Sequence, residues 1–230
     1  MDFQLAVLDM AGTTVADDGL VVRAFTAAMD ALAVTDADRP RMNQYVLDTM
    51  GQSKIDVFRA LFPTETDAQH ANQAFGDAYD RLVDEGHAEA LPGAADTIRG
   101  LRDAGVKVAL TTGFGAGTRD RLLAALGWTD IADLDLCPAD AGRGRPYPDM
   151  VLTAVLRLGV DDVRAVAVVG DTTSDVTTGL RAGASIAAGV LTGAHDAAAL
   201  TAAGATHVLA DVTALPDLLS LPSPLSGSTR

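Results

Sequence analysis

The sequence predicts an α/β fold: a doubly wound parallel-sheet core, Rossmann-like in its winding, with a small α-helical domain inserted after the first strand. Three observations carry that expectation. Short apolar runs alternate with helix-period stretches, the links between them are short and Gly-rich, and one long block reads as helix after helix. Alternation of this kind favours parallel pairing, because each helix returns the chain along a face of the sheet.

Taken in order, residues 3–8 form an apolar run that ends at Asp9 and turns through Ala11-Gly12-Thr13-Thr14. Comparable runs follow at 106–110, 133–136, 165–169, 185–190 and 207–210, with helical patterns over 94–103, 117–126, 148–158 and 174–182 between them. Residues 17–91 break the alternation, with helical patterns over 20–32, 39–50, 53–61 and 66–85. Residues 1–16 and 92–220 are therefore the expected core and 17–91 the insertion, with Leu91-Pro92-Gly93 as the re-entry hinge. The Ser/Pro/Gly-rich stretch 221–230 reads as a flexible tail. Asp17-Asp18-Gly19 reads as an exposed linker into the insertion, Gly19 giving it freedom to hinge.

Composition narrows the function. The chain has 230 residues, 48% hydrophobic, with a net charge of −14. Such an acidic surface repels nucleic acid and anionic membrane, so neither is an expected partner, whereas a small anion can still be held where local cations reverse the field. The single cysteine, Cys137, rules out an intrachain disulfide and fits the cytoplasm; it is expected to be buried and inert. The start of the chain lacks the pattern of a signal peptide, and no apolar run is long enough to span a bilayer. His70, His87, His195 and His207 are scattered without zinc-ligand spacing. Met10 faces either the cleft or the core, and Trp128 is expected to pack.

Open parallel sheets place their sites at the carboxyl ends of the strands. Here that edge carries Asp9, Thr112 and Asp171, each following an apolar strand. A carboxylate at such a tip, followed by Gly12 and Thr13, can reach into a cleft whose turn amides cradle an anion, and carboxylates act as nucleophiles toward phosphorus. In Val168-Val169-Gly170-Asp171-Thr172-Thr173-Ser174-Asp175, two acids four residues apart share one side of a helix start. With Asp9 they offer hard oxygen ligands suited to Mg²⁺.

These segments resemble, in order and across nearly the whole chain, the motifs of the haloacid dehalogenase superfamily. The resemblance makes Asp9 the nucleophile, Thr112 and Gly113 of Thr111-Thr112-Gly113 the phosphate-binding turn, and Arg145 the basic residue of the core. It makes Asp9, Asp171, Asp175 and the backbone carbonyl of Ala11 the Mg²⁺ ligands, and the helical insertion the cap. One position departs: most phosphatases of the superfamily carry a second aspartate where this chain has Ala11, and an alkoxide leaves poorly without that acid. The Asp-x-Ala-Gly-Thr start is instead similar to the phosphonoacetaldehyde hydrolase subgroup. There, a cap lysine forms a Schiff base with the substrate aldehyde, and arginine replaces the usual core lysine. The stretch 50–61 resembles the lysine-bearing segment and puts Lys54 at the Schiff-base position. Lys54 and Lys107 are the chain's two lysines among 17 cationic residues, so a Lys at this place indicates that a deprotonatable amine is needed. Val57 and Phe114 stand where the subgroup has a histidine and a tyrosine.

The expected activity is Mg²⁺-dependent hydrolysis of a C–P bond in a small phosphonate. A phosphomonoesterase of the same superfamily and a non-catalytic phosphate-binding domain are the alternatives. A homodimer through the cap is what the resemblance implies.

Overall fold

The structure, a computed structural model, describes residues 2–221, so the tail expected over 221–230 lies outside it except for Leu221. β1 (Leu5–Asp9) leads to four consecutive helices, α1 (Leu20–Ala31), α2 (Arg39–Asp48), α3 (Lys54–Leu61) and α4 (Glu65–Asp84). Alternation then begins with α5 (Ala94–Asp103), β2 (Lys107–Thr111), α6 (Ala116–Ala125), β3 (Leu134–Leu136), α7 (Pro138–Ala141) and α8 (Asp149–Arg157). It closes with β4 (Val166–Gly170), α9 (Thr173–Ala182), β5 (Ile186–Val190), α10 (Ala197–Ala202), β6 (His207–Leu209) and α11 (Leu215–Leu218).

All pairings are parallel, and the six strands run in the order β3-β2-β1-β4-β5-β6. The sheet is doubly wound about β1, as expected, and the point where the winding reverses is the place where such sheets form a crevice. Side chains alternate between faces, as the period of a strand requires. Ala6, Leu8, Val108, Leu110, Ala167 and Val169 join the larger apolar cluster, whereas Leu5, Val7, Ala109, Val166 and Val168 join a second one with Met150, Val151 and Ala154 of α8. Both faces are covered, so the strands read as continuous apolar runs rather than as an alternating pattern.

The four inserted helices form because each presents an apolar stripe to the others. In α1, Leu20, Val21, Ala24, Phe25, Ala28 and Met29 are buried at helical spacing. Thr64 caps α4 by accepting the Asp67 N–H at 3.1 Å, with Glu65 and Asp67 at the positive end of the dipole and Arg81 in the last turn. Phe25 of α1 joins the two faces of this layer, its ring 4.9 Å from Phe58 of α3 and 4.8 Å from Phe75 of α4. Burying each ring contributes about 2–3 kcal/mol. The cluster holding these rings continues without a break into one face of the sheet.

Three short helices, α7, α10 and α11, were not expected from the sequence. Each spans four to six residues, and α10 buries only Leu200, too little for a helical period to register. Met10 packs in the core with no exposed surface, and Trp128 and Cys137 are buried as expected. No helix among the described residues is long and apolar enough to cross a membrane.

Candidate active site

Strand register assembles the site. Asp9, the last residue of β1, pairs with Thr111 of β2, while Leu8 pairs with Val169 of β4. Thr112 and Asp171 therefore emerge beside Asp9 at the carboxyl edge. Gly12 makes the turn possible: its φ is +84°, and a Cβ there would lie 2.5 Å from Oδ2 of Asp171. The turn is fixed when Thr14 Oγ1 donates to the Asp9 carbonyl at 2.9 Å and Thr13 Oγ1 donates to Asp171 Oδ1 at 3.3 Å. Asp171 Oδ2 also accepts the Ala194 N–H at 2.7 Å. Asp175 lies in the first turn of α9 and serves as a reciprocal cap, accepting the Thr172 N–H at 3.1 Å while Thr172 Oγ1 accepts the Asp175 N–H at 3.2 Å.

Asp9, Asp171 and Asp175 are all buried, and each offers an oxygen within 4.8 Å of the others. Burial holds the Asp9 carboxyl well above the usual range despite Arg145, with Asp175 and Asp171 adding repulsion. Burial and Asp175 push Asp171 up to about 6. Three hard oxygen donors so crowded that their ionised forms repel one another fit a small divalent cation, which would relieve the repulsion.

Arg145 partly offsets this charge. Its Nη2 lies 2.5 Å from Asp9 Oδ1 and 3.2 Å from Thr111 Oγ1, while its Nη1 lies 2.9 Å from Asp175 Oδ1. Nη1 also donates to the Gly51 carbonyl at 3.3 Å, so the same side chain ties the sheet edge to the inserted helices.

Lys54 opens α3, and its backbone N–H donates to the Gly113 carbonyl at 3.1 Å. Ser174 Oγ donates to the Met50 carbonyl at 3.1 Å, a second tie between the same layers. The Lys54 side chain is 6% exposed, so it is not a solvated surface lysine. Its Nζ lies 5.7 Å from the Phe25 ring centre and 5.6 Å from that of Phe114, and no carboxylate among the described residues makes an ion pair with it. Burial, helped by the neighbouring Arg145 charge, lowers the amine to about 8. Val57 and Phe114 are buried and apolar, and Phe114 packs 4.5 Å from the Tyr79 ring.

A chamber of about 30 Å³ is lined by Asp9, Ala11, Lys54, Thr112, Arg145 and Asp171, together with Gly113, Thr172 and Asp17. Gly12, Thr13 and Asp175 stand just behind this wall. The structure thus places Asp9, Ala11, Gly12, Thr13, Lys54, Thr112, Gly113, Arg145, Asp171 and Asp175 around one chamber. Asp17 is the residue that sequence reasoning misplaced. It lies in the link into α1 as expected but is half-buried in the chamber wall rather than exposed, with Oδ1 accepting the Val21 N–H at 3.0 Å. A larger cavity of about 560 Å³ adjoins it, lined by Asp17, Met50, Leu91, Thr192 and His195 among others.

A doubly wound parallel sheet with a buried acidic triad where its winding reverses, covered on one side by helices, is the arrangement of a Rossmann-like hydrolase core. Residues 3–183 match the model of the haloacid dehalogenase-like hydrolases, and the chain belongs to that family. It is 31% identical over 203 residues to a phosphonoacetaldehyde hydrolase of Pseudomonas putida, covering 78% of this chain and 70% of that one. Its fold matches a hydrolase of Pseudomonas syringae with a TM-score of 0.83 at 25% identity, over 96% of this chain and 100% of the other. A phosphonoacetaldehyde hydrolase-like protein of Oleispira antarctica matches with a TM-score of 0.81 at 25% identity, over 96% and 92% of the two chains.

Proposed function

We propose that this enzyme is a Mg²⁺-dependent hydrolase that cleaves the C–P bond of phosphonoacetaldehyde, or of a similar small phosphonate, through a Schiff base at Lys54. The observation that carries the reading is a buried amine without an ion pair, held in one chamber with the Asp9 carboxylate. An amine lowered to about 8 is partly neutral near physiological pH and able to attack a carbonyl. Ala11 supports the same reading, because the departing group is then an enamine and needs no acid at that position.

In this scheme Lys54 Nζ adds to the aldehyde carbon, and loss of water gives an iminium. Asp9 attacks phosphorus, the C–P bond breaks, and its electron pair passes into the iminium to leave an enamine on Lys54. The Thr112 hydroxyl, the Gly113 turn and Arg145 hold the phosphoryl oxygens. A magnesium ion bound by Asp9, Asp171, Asp175 and the Ala11 carbonyl would neutralise charge on those oxygens. Water then releases phosphate from Asp9, and hydrolysis of the protonated enamine frees acetaldehyde and restores Lys54.

The chamber is narrow, about 30 Å³, and the inserted helices close over it with Val21 and Lys54. Residues 17–91 therefore act as a cap that lifts from the core over 1–16 and 92–220 to admit substrate. The reading places the enzyme in the cytoplasm, with Cys137 reduced, and leaves the outer cap helices available for pairing in a homodimer.

Borohydride added with phosphonoacetaldehyde and Mg²⁺ is expected to fix one two-carbon adduct on Lys54, read by peptide mass, and Lys54→Arg is expected to lose both adduct and turnover. Turnover that survives Lys54→Arg, together with hydrolysis of sugar or nucleotide phosphates, would replace this reading by that of a phosphomonoesterase.

A further inference from the structure

Schiff-base chemistry needs a proton donor beside the amine, and the chamber is poor in candidates. Of its titratable side chains, Asp9 and Asp171 belong to the acidic triad, Lys54 is the amine and Arg145 is paired with Asp9 and Asp175. Val21, Met50 and Phe114 of the wall offer only apolar side chains. Asp17 is the remaining carboxyl of the wall. One of its oxygens is fixed by the Val21 N–H at 3.0 Å, which orients the group, and a cap needs only that one oxygen. Asp17 also lines the 560 Å³ cavity that adjoins the chamber, so it is shared by the space that holds the amine and a larger one outside it.

We infer that Asp17 is the acid–base residue of the Lys54 carbonyl chemistry, a role that rests on the Schiff-base reading above. The carbinolamine formed by Lys54 and the aldehyde loses its hydroxyl as Asp17 donates a proton to that oxygen. The C–O bond breaks, water departs, and iminium and carboxylate are left side by side. After C–P cleavage and protonation of the enamine carbon from solvent, water adds to the second iminium while the Asp17 carboxylate removes its proton. The residue returns to its starting state with no net change in charge. Burial raises the Asp17 carboxyl above its ordinary value, in keeping with a group that holds a proton part of the time, while the Val21 N–H and Lys54 oppose the shift.

The test is rapid-quench borohydride trapping of the full chain with phosphonoacetaldehyde. Asp17→Asn keeps the cap to Val21 and is expected to keep the thermal midpoint and KM. It is expected to slow adduct formation and kcat by about 10²-fold or more. Asp17→Ala is expected to regain at least about tenfold in adduct formation with formate, but not with chloride at equal ionic strength, since formate supplies the missing carboxyl. An Asp17→Asn protein that traps as fast as the wild type removes the inference alone, as does an Asp17→Ala defect that formate leaves untouched. A wild-type protein that forms no adduct on Lys54 removes the inference together with the reading beneath it.

Discussion

Lys54 is the residue at which stability and the proposed chemistry conflict. Its amine has an ordinary value of 10.5 in an open chain and is lowered to about 8 in the folded protein, chiefly by burial. Between those values the unfolded chain holds a proton that the native state has released, so stability rises as pH rises through that window. Below it the penalty is fully present, on the order of 3 kcal/mol. Lys54→Met removes the charge while keeping the apolar stem. It is expected to stabilise the protein at pH 7 by about 1–3 kcal/mol, with the advantage fading toward pH 10. Urea unfolding of both proteins at the two pH values measures this, and an equal gain at both would show that the cost is not electrostatic.

At the scale of elements, the first turn of α3 is pressed against the β2–α6 turn. A Cβ on Gly113 would lie 2.5 Å from the Gln52 carbonyl oxygen, and Lys54 N–H donates to the Gly113 carbonyl next door. Gly113→Ala must push the two layers apart at the amine. It is expected to lower kcat/KM by at least about tenfold, equivalent to roughly 1.4 kcal/mol, and to speed exchange of the Lys54 amide; wild-type exchange would show that the turn yields instead. The central strands were legible because both faces of the sheet are covered, so β1, β4 and the inner part of β2 ran as apolar segments to a polar tip. Asp9, Thr112 and Asp171 could therefore be placed at one edge without a structure. Asp17 was not legible. Its sequence neighbours Asp18 and Gly19 are exposed, and it turns inward where its carboxylate accepts the Val21 N–H at the start of α1. The threefold pairing of Arg145 was equally hidden, since its partners lie 30 to 136 positions away and no local pattern encodes them.

Across the whole molecule the charge is −14, and on the proposed reading a phosphonate dianion approaches a surface of its own sign. The attraction that would draw it in is confined to Arg145, Lys54 and the cation that the triad could hold, all inside the cleft. Long-range repulsion is screened by salt more effectively than contacts within a buried pocket. At fixed Mg²⁺, kcat/KM for an anionic substrate is therefore expected to rise severalfold as ionic strength goes from about 10 to 150 mM, over which the screening length shrinks from about 30 to 8 Å. A fall would show that the entrance is electropositive and guides the substrate in.

The Arg145 guanidinium has one hand on Asp9 and another on the Gly51 carbonyl of the helical layer. On the proposed reading, the nucleophile is sheathed when no substrate is engaged: its Oδ1 is covered by a cation that an incoming phosphoryl group would win over to its own side. Stray electrophiles without a phosphoryl anion have nothing to offer that cation, so the reactive carboxylate stays guarded between turnovers. Recognition of the substrate and unveiling of the attacking oxygen become a single event.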